Sequence, residues 1–440
     1  MGEYIPSSHQ ERAQMLEALG LEHFDALYRT VPAGIKLNAL NIPKGQSELG
    51  VRRMMEGYAA ENTLFSAIFR GAGAYHHYIP SIVKTVTANE AMLTAYTPYQ
   101  PEISQGVLQS IFEYQTLICE LTGMEASNAS VYDGATAAAE AVCMCRDKRR
   151  STALVASTAH PMSVQTIQTY SDAANAPVQS IPERMGTLNL DALSALLDGG
   201  DAACVYVQQP NYYGLFEDME QIERLAHAAG AKLIMAANPI ALSIIQTPGE
   251  IGADIAVGEG QPLGIPLGFG GPFLGFMAST NALLRKLPGR IVGETTDLEG
   301  KRAFVLTLQA REQHIRREKA LSNICSNQAL CAMTASAYAA AMGEAGLREV
   351  AHQCHSKAAY LMACLCAIPG FERVHSGEFF HEFVTHCHAN AEALTEALAR
   401  RGFLAGLPIG EHKILWCATE MNTKAQMDAL IDAIREVTCA

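Results

Sequence analysis

Four short segments with few polar residues recur along the middle of the chain: TALVAS (152–157), CVYVQQ (204–209), KLIMAA (232–237) and ADIAV (253–257). Helical periodicities lie between them, and MEQIERLAHAAG (219–230) is the plainest, amphipathic and closed by Gly230. Strands that are apolar on both sides cannot leave either face in water, so the alternation predicts a mostly parallel sheet with helices on both faces. A smaller α+β unit is predicted beyond it, with strands near FFHEFVT (379–385) and HKILWCA (412–418) and a final helix around 423–437.

The flanking segments are predicted in the same way. Residues 7–29 read as helical, with Ser7 or Ser8 as N-cap and Met15, Leu16, Leu19 and Leu27 as an apolar stripe. Val107, Leu108, Ile111, Ile118 and Leu121 recur at helical spacing between a capping Ser104 and Gly123. DGATAAAEAVCMC (133–145) reads as a helix capped by Asp133, Arg285–Lys319 as charged and irregular, and NQALCAMTASAYAAAM (327–342) as helical again. The expected division is a helical extension (1–60), a large α/β domain (61–325) and a small C-terminal α+β domain (326–440).

The apolar fraction of 49% is enough for a substantial core. A formal charge of −13 argues against nucleic acid or an anionic membrane as partner. No apolar run is long enough to span a bilayer. Glu3, His9, Glu11 and Arg12 interrupt any signal peptide at the start. The twelve cysteines form no Cys-x-x-Cys pair, as expected for reduced thiols in the cytoplasm.

Several chemistries can be weighed on spacing. GEGQPLG and GFGGPF (258–264 and 268–273) have neither the spacing nor the following helix of a dinucleotide fingerprint, and read as tight turns. HEFVTHCH (381–388) could suggest zinc, but Cys387 points away from His386 and His388 on a strand; a solvent-facing strand edge is the better reading, and no metal is expected. No G-x-S-x-G nucleophile elbow occurs. Arg311, Arg316, Arg317 and Lys319 cluster in an otherwise acidic chain, either as a solvated helix face or as a site for an acidic partner or phosphate.

The layout points to pyridoxal-phosphate enzymes of the aspartate-aminotransferase fold type (type I). They need a helix N-terminus for the cofactor phosphate, an acidic residue at a strand end for the pyridine nitrogen, and a lysine about two dozen residues later. Here Asp133 caps the helix and repels a phosphate. The strand KLIMAA runs into Asn238 where an aspartate is wanted, and no lysine occurs between Lys232 and Lys286, although one is required near Gln261. After Arg401 the next arginine is Arg435, so the HKILWCA strand offers no guanidinium for a substrate carboxylate. Four missing groups argue that the chain alone performs no pyridoxal chemistry.

FRGAGAYHHYIPSIV (69–83), TAYTPYQPEISQGVLQSIFEYQTLICELTGMEASNASVYDGATAAAEA (94–141) and LTLQAREQHIRREKALSNICSNQAL (306–330) closely resemble glycine decarboxylase, the P-protein family of the glycine cleavage system. The length and the lysine-free turn at 253–272 are similar to its alpha subunit (subunit 1), which corresponds to the N-terminal half of the single-chain enzyme. The resemblance implies a pyridoxal-phosphate-dependent transferase fold without the cofactor lysine. It implies a beta subunit that supplies lysine and cofactor, an αβ or α2β2 assembly with α2β2 expected, and a lipoylated H-protein. It further implies that glycine loses CO2 and that its aminomethyl group passes to the oxidised lipoyl arm. AANP (236–239) departs from relatives that carry an acidic residue there.

Candidate contributors to a shared site are Tyr96, Thr97, Tyr99 and Gln100 of AYTPYQPE, because a stiff loop with two prolines and two tyrosines offers hydroxyl donors. Tyr75 and His76 stand behind them, with Asn128 and Ser130 as weaker candidates. Packing of these aromatics against a partner is the plainer alternative. Arg311, Arg316, Arg317 and Lys319 are candidate contacts for the lipoyl arm or an acidic partner. Two other readings remain: an autonomous pyridoxal enzyme using Lys232 or Lys286, and a degenerate homologue that serves as a binding or regulatory protein.

Overall fold

The core is a seven-stranded sheet formed by β1 (Ala126–Ser127), β2 (Thr152–Ala156), β3 (Val178–Ile181), β4 (Ala202–Gln209), β5 (Lys232–Ala237), β6 (Ile255–Glu259) and β7 (Gly275–Ser279). Their order across the sheet is β1-β7-β6-β5-β4-β2-β3. The run from β6 to β3 is parallel, and β7 joins it antiparallel. The computed structural model describes residues 7–37, 39–93 and 97–439, in two units that divide after Thr63.

The two-residue period of a strand sorts the core. Val155, Tyr206, Ile234 and Val257 join one buried cluster with the helix Gly134–Cys145, while Leu154, Val205, Leu233 and Met235 join another with Met219, Ile222 and Ala226. Both faces are covered, as uninterrupted apolar strands require. Gly258 is fixed by this packing: a Cβ there would lie 2.4 Å from the Ala237 carbonyl oxygen and from Phe276. The last parallel strand starts at Ile255, two residues later than the apolar run suggests, and therefore carries Glu259 at its C-terminal end.

Three expectations change. The stretch Arg285–Lys319 contains a regular antiparallel hairpin, β8 (Ile291–Thr296) and β9 (Arg302–Thr307), closed by Asp297, whose side chain accepts the N–H groups of Glu299 and Lys301. Phe304 and Leu306 alternate inward along β9, a period-two signal that the surrounding charges mask. The strand HEFVTHCH is not a solvent-facing edge. As β11 (Glu382–Cys387) it lies inside the four-stranded sheet of the C-terminal region, between β10 (Phe371–Arg373) and β13 (Lys413–Cys417), with β12 (Leu407–Gly410) beyond. His381, just before it, is buried. The third change concerns residues 7–29, where the helix stops at Ala18.

In the first unit, His9–Ala18 has Ser8 and Glu11 as a reciprocal cap, and a second helix spans Glu48–Ala60. Neither helix buries a residue; Met15, Leu19 and Leu27 of the expected stripe are exposed. In the second unit, Gln105–Thr122 ends at left-handed Gly123, while the Ser104 hydroxyl makes no capping bond. The long helix Ala329–Cys366 is interrupted at Gly343, whose φ is 62°. No helix of the described residues is long and apolar enough to cross a membrane.

Candidate functional site

In a doubly wound sheet the loops diverge where strand order reverses, and the crevice lies outside the carboxyl ends of the strands. Here the chain reverses between β2 and β4, and a cavity of about 380 Å³ opens at that end. Gln208 at the end of β4, Asn238 after β5 and Glu259 of β6 line it, with Asp133 at the start of the helix Gly134–Cys145. His160, Tyr75, His381 and Glu382 complete the polar wall. Among the described residues no lysine or arginine lines it.

Carboxylates have taken the helix N-terminus. Asp133 Oδ1 accepts the Thr136 N–H at 2.7 Å, and Glu259 Oε2 accepts the Gly134 N–H at 3.0 Å. Glu259 Oε1 also accepts from Gln261 and Leu274. Burial raises the Glu259 carboxyl above its ordinary range, and these N–H donors oppose the shift. Asn238 Oδ1 accepts the N–H groups of Ile240 and Ala241, while its Nδ2 has no partner.

Gln261 is equally committed. Its Oε1 accepts the Tyr75 N–H at 2.8 Å, and its Nε2 donates to the carbonyls of Tyr75 (2.9 Å) and Ile265 (2.7 Å). A pyridoxal-phosphate cofactor would need an anion cup, an acid opposite its pyridine nitrogen and a lysine. This cavity offers three carboxylates, Asp133, Glu259 and Glu382, with the amide of Asn238, and Gln261, near the place of the lysine, is sequestered by the chain. The residues present do not fit that cofactor.

The same wall holds a buried acid pair. Tyr75 donates its hydroxyl to Glu382 Oε2 at 2.8 Å, and Glu382 Oε1 accepts the Ala72 N–H. Burial pushes the Glu382 carboxyl up to about 7, against these two donors. Burial also raises the Tyr75 hydroxyl well above its ordinary value, and the neighbouring Glu382 adds to this. The Tyr75 ring lies 4.5 Å from that of His381, which is 2% exposed and has a partner on neither ring nitrogen. Burial drives the His381 imidazole well below its ordinary value, so it is neutral.

The other candidates gather elsewhere. Arg290, 2% exposed, donates from Nη2 to the Tyr99 hydroxyl at 2.7 Å and stacks over that ring at 4.9 Å. The Tyr99 ring also meets His314 edge-on at 6.0 Å. Fully buried Asn128 donates to the Pro288 carbonyl, and its Oδ1 accepts the Ser130 N–H. Arg311 donates to the carbonyls of Gly289 and Leu308. Tyr99, Asn128 and Arg311 thus converge on Pro288–Arg290.

Thr97 and Gln100 belong to the same loop, with Gln100 exposed and its carbonyl accepting from Ile103. Tyr96 lies outside the described residues. His76 is exposed, and its carbonyl accepts from Thr419.

Beside this group lies a second cavity of about 270 Å³, lined by Arg285, Lys286, Arg311, Arg316 and Lys319 with the single carboxylate of Glu312. Lys286 donates to the Met144 carbonyl, whereas the side chains of Arg285, Arg316 and Lys319 have no partner among the described residues. Arg317 is exposed at a φ of 54°. Lys232 pairs with Asp254 at 2.9 Å, and neither Lys232 nor Lys286 lines the first cavity. Sequence reasoning missed Glu259, Glu382, His160 and Arg290. Only burial and pairing single them out, because none stands in a recognisable spacing.

A doubly wound sheet with its crevice at the switch point, followed by a small α+β unit, is the fold of pyridoxal-phosphate-dependent enzymes. Glutamate decarboxylase of Lactobacillus brevis has it with a TM-score of 0.70 at 12% identity, over 94% of this chain and 97% of that one. Within the fold, the chain belongs to the glycine cleavage system P-protein family, whose model matches residues 2–434. It is 48% identical to the probable glycine dehydrogenase (decarboxylating) subunit 1 of Moorella thermoacetica, over 99% of each chain. It also superimposes on an inhibitor-bound glycine decarboxylase (P-protein) of the glycine cleavage system with a TM-score of 0.93 at 42% identity, covering 99% of this chain and 100% of that one.

Proposed function

We propose that this chain is the subunit of a cytoplasmic glycine-decarboxylating enzyme that does not carry the cofactor. Paired with a lysine-bearing chain of the same fold in an α2β2 assembly, it takes part in decarboxylating glycine, releasing CO2 and passing the aminomethyl group to the lipoyl arm of an H-protein. Pyridoxal phosphate is held by the partner. The observation that carries this reading is the pair of carboxylates, Asp133 and Glu259, on the helix N-terminus of a cavity that no lysine lines among the described residues. A chain of this family so built needs another to supply the cofactor.

The N-terminal unit supports the need for a partner. Leu19, Leu37, Ile42, Met55 and Tyr58 are exposed there, apolar surface of the kind that obligate interfaces bury. Tyr96, Thr97, Tyr99 and Gln100 contribute hydroxyl and amide groups to the shared site, and Asn128 braces the loop that carries Arg290. Tyr75, in the wall of the first cavity, and His76 are secondary contributors. Arg311, Arg316, Arg317 and Lys319 meet the lipoyl arm or the acidic surface of the H-protein.

The test is glycine–bicarbonate carbon exchange, with pyridoxal phosphate and lipoylated H-protein present throughout. It is run with this chain alone, the lysine-bearing chain alone, and the two together. Exchange in the mixture only is expected; exchange by this chain alone would overturn the reading.

A further inference from the structure

The first cavity lacks what its fold usually binds, yet its walls are built rather than collapsed. We propose that it is a binding site for a small organic cation: a protonated primary amine on an apolar or aromatic body.

The sign of the charge comes first. Asp133, Glu259 and Glu382 line the cavity with no lysine or arginine among the described residues, so an anion entering it would meet carboxylates in a low-dielectric wall. Glu259 is occupied by three backbone N–H groups, but Asp133 spends one oxygen on its cap, and the other has no partner among the described residues. A cationic N–H donor completes that oxygen, and a charge-assisted hydrogen bond is among the stronger polar contacts available.

Two further groups ask for a ligand. His381 is 2% exposed, lines the cavity and has both ring nitrogens unpartnered. Asn238 lines it as well, and its buried Nδ2 is also unpartnered. Buried polar groups in this condition are costly, and a ligand with one donor and one acceptor satisfies them. Beside the polar His160, Ser163, Gln208 and Asn211, the wall presents the apolar Ala135, Met162, Ala237, Pro262 and Phe273. A volume of about 380 Å³ suits a single substituted ring.

The order of preference follows. Amines rank first, isosteric alcohols below them, and carboxylates and phosphates last. Pyridoxamine should therefore bind where pyridoxal phosphate does not.

Calorimetric titration of the full chain, alone and in complex with the lysine-bearing chain, tests this with benzylamine, pyridoxamine, benzyl alcohol, benzoate and pyridoxal 5′-phosphate. The two amines are expected to bind once per chain with a dissociation constant on the order of 1 mM or tighter, and the anions not to saturate. Asp133→Asn keeps a competent cap and should weaken the amines at least about tenfold, while Ala237→Phe fills the cavity and should abolish binding. Circular dichroism melts check that both variants fold; if Ala237→Phe does not, Asp133→Asn decides. The proposal is overturned if benzyl alcohol binds as well as benzylamine, if an anion binds more tightly, if no amine binds, or if Asp133→Asn leaves the amines unaffected. No turnover enters the readout, so this result and the exchange experiment stand or fall separately.

Discussion

Two of the cavities in the second unit are lined by opposite charges. Among the described residues, the one at the switch point holds Asp133, Glu259 and Glu382 and no lysine or arginine, and the one beside Pro288–Arg290 holds five cationic side chains and one carboxylate. In the first, Glu259 and Glu382 are satisfied by the chain itself, through backbone N–H groups and the Tyr75 hydroxyl. In the second, Arg285, Arg316 and Lys319 have no partner among the described residues. A chain with a formal charge of −13 could have neutralised them at little cost. The contrast teaches that the position a fold reserves for a cofactor can be filled by the chain's own carboxylates while another cavity of the same molecule keeps uncompensated cations.

The widest test of that contrast reverses the second cavity. Arg316→Glu with Lys319→Glu should raise the KM for H-protein about a hundredfold at low salt and leave kcat within about twofold, because exposed charges act mainly on encounter. Added salt should narrow the gap. An equal loss in kcat would place these side chains at the chemistry instead.

Tyr99→Phe comes next. It removes the hydroxyl that accepts from buried Arg290 and leaves the ring, so exchange in the reconstituted complex should fall about tenfold. Unchanged turnover would make Tyr99 a packing residue.

The acid pair of the first cavity sharpens the comparison through pH. Glu382 titrates at about 7 in the folded chain against an ordinary value of 4.5, so between those values the folded chain keeps a proton that the unfolded chain has released. This contribution to stability is complete below pH 4.5 and lost as pH rises through about 7. Its size is about 3 kcal/mol. Glu382→Gln should flatten that slope in chemical denaturation at a series of pH values. The slope that remains reports other buried acids such as Glu140, also pushed up to about 7.

The smallest expected effect is the most direct attempt to break the contrast. Gln261→Lys restores a lysine near the place the fold expects one, yet Asp133 and Glu259 still occupy the helix N-terminus. No covalent cofactor uptake should appear in the visible absorbance, only a lower Tm from the lost hydrogen bonds to Tyr75 and Ile265. A coloured adduct would show that the cavity remains open to pyridoxal chemistry.

Much of this was written locally. The four apolar segments determined a sheet buried on both faces, because uninterrupted apolarity admits no solvated side. Asp133 determined its own helix cap, since its carboxylate is three residues from the N–H it satisfies. The missing lysine could be read by counting. Masked by local charge were the hairpin at Ile291–Thr307 and the interior position of the strand after His381.

Only the tertiary structure decided which charges meet. Glu259 reaches Gly134 across 125 positions, and Glu382 reaches Tyr75 across 307. Arg290 finds Tyr99 across 191, with no signal in its own neighbourhood. Local patterns determine elements because their interactions span a turn or two. The sign of a cavity depends on side chains brought together from distant strands, and that pairing exists only once the sheet has closed.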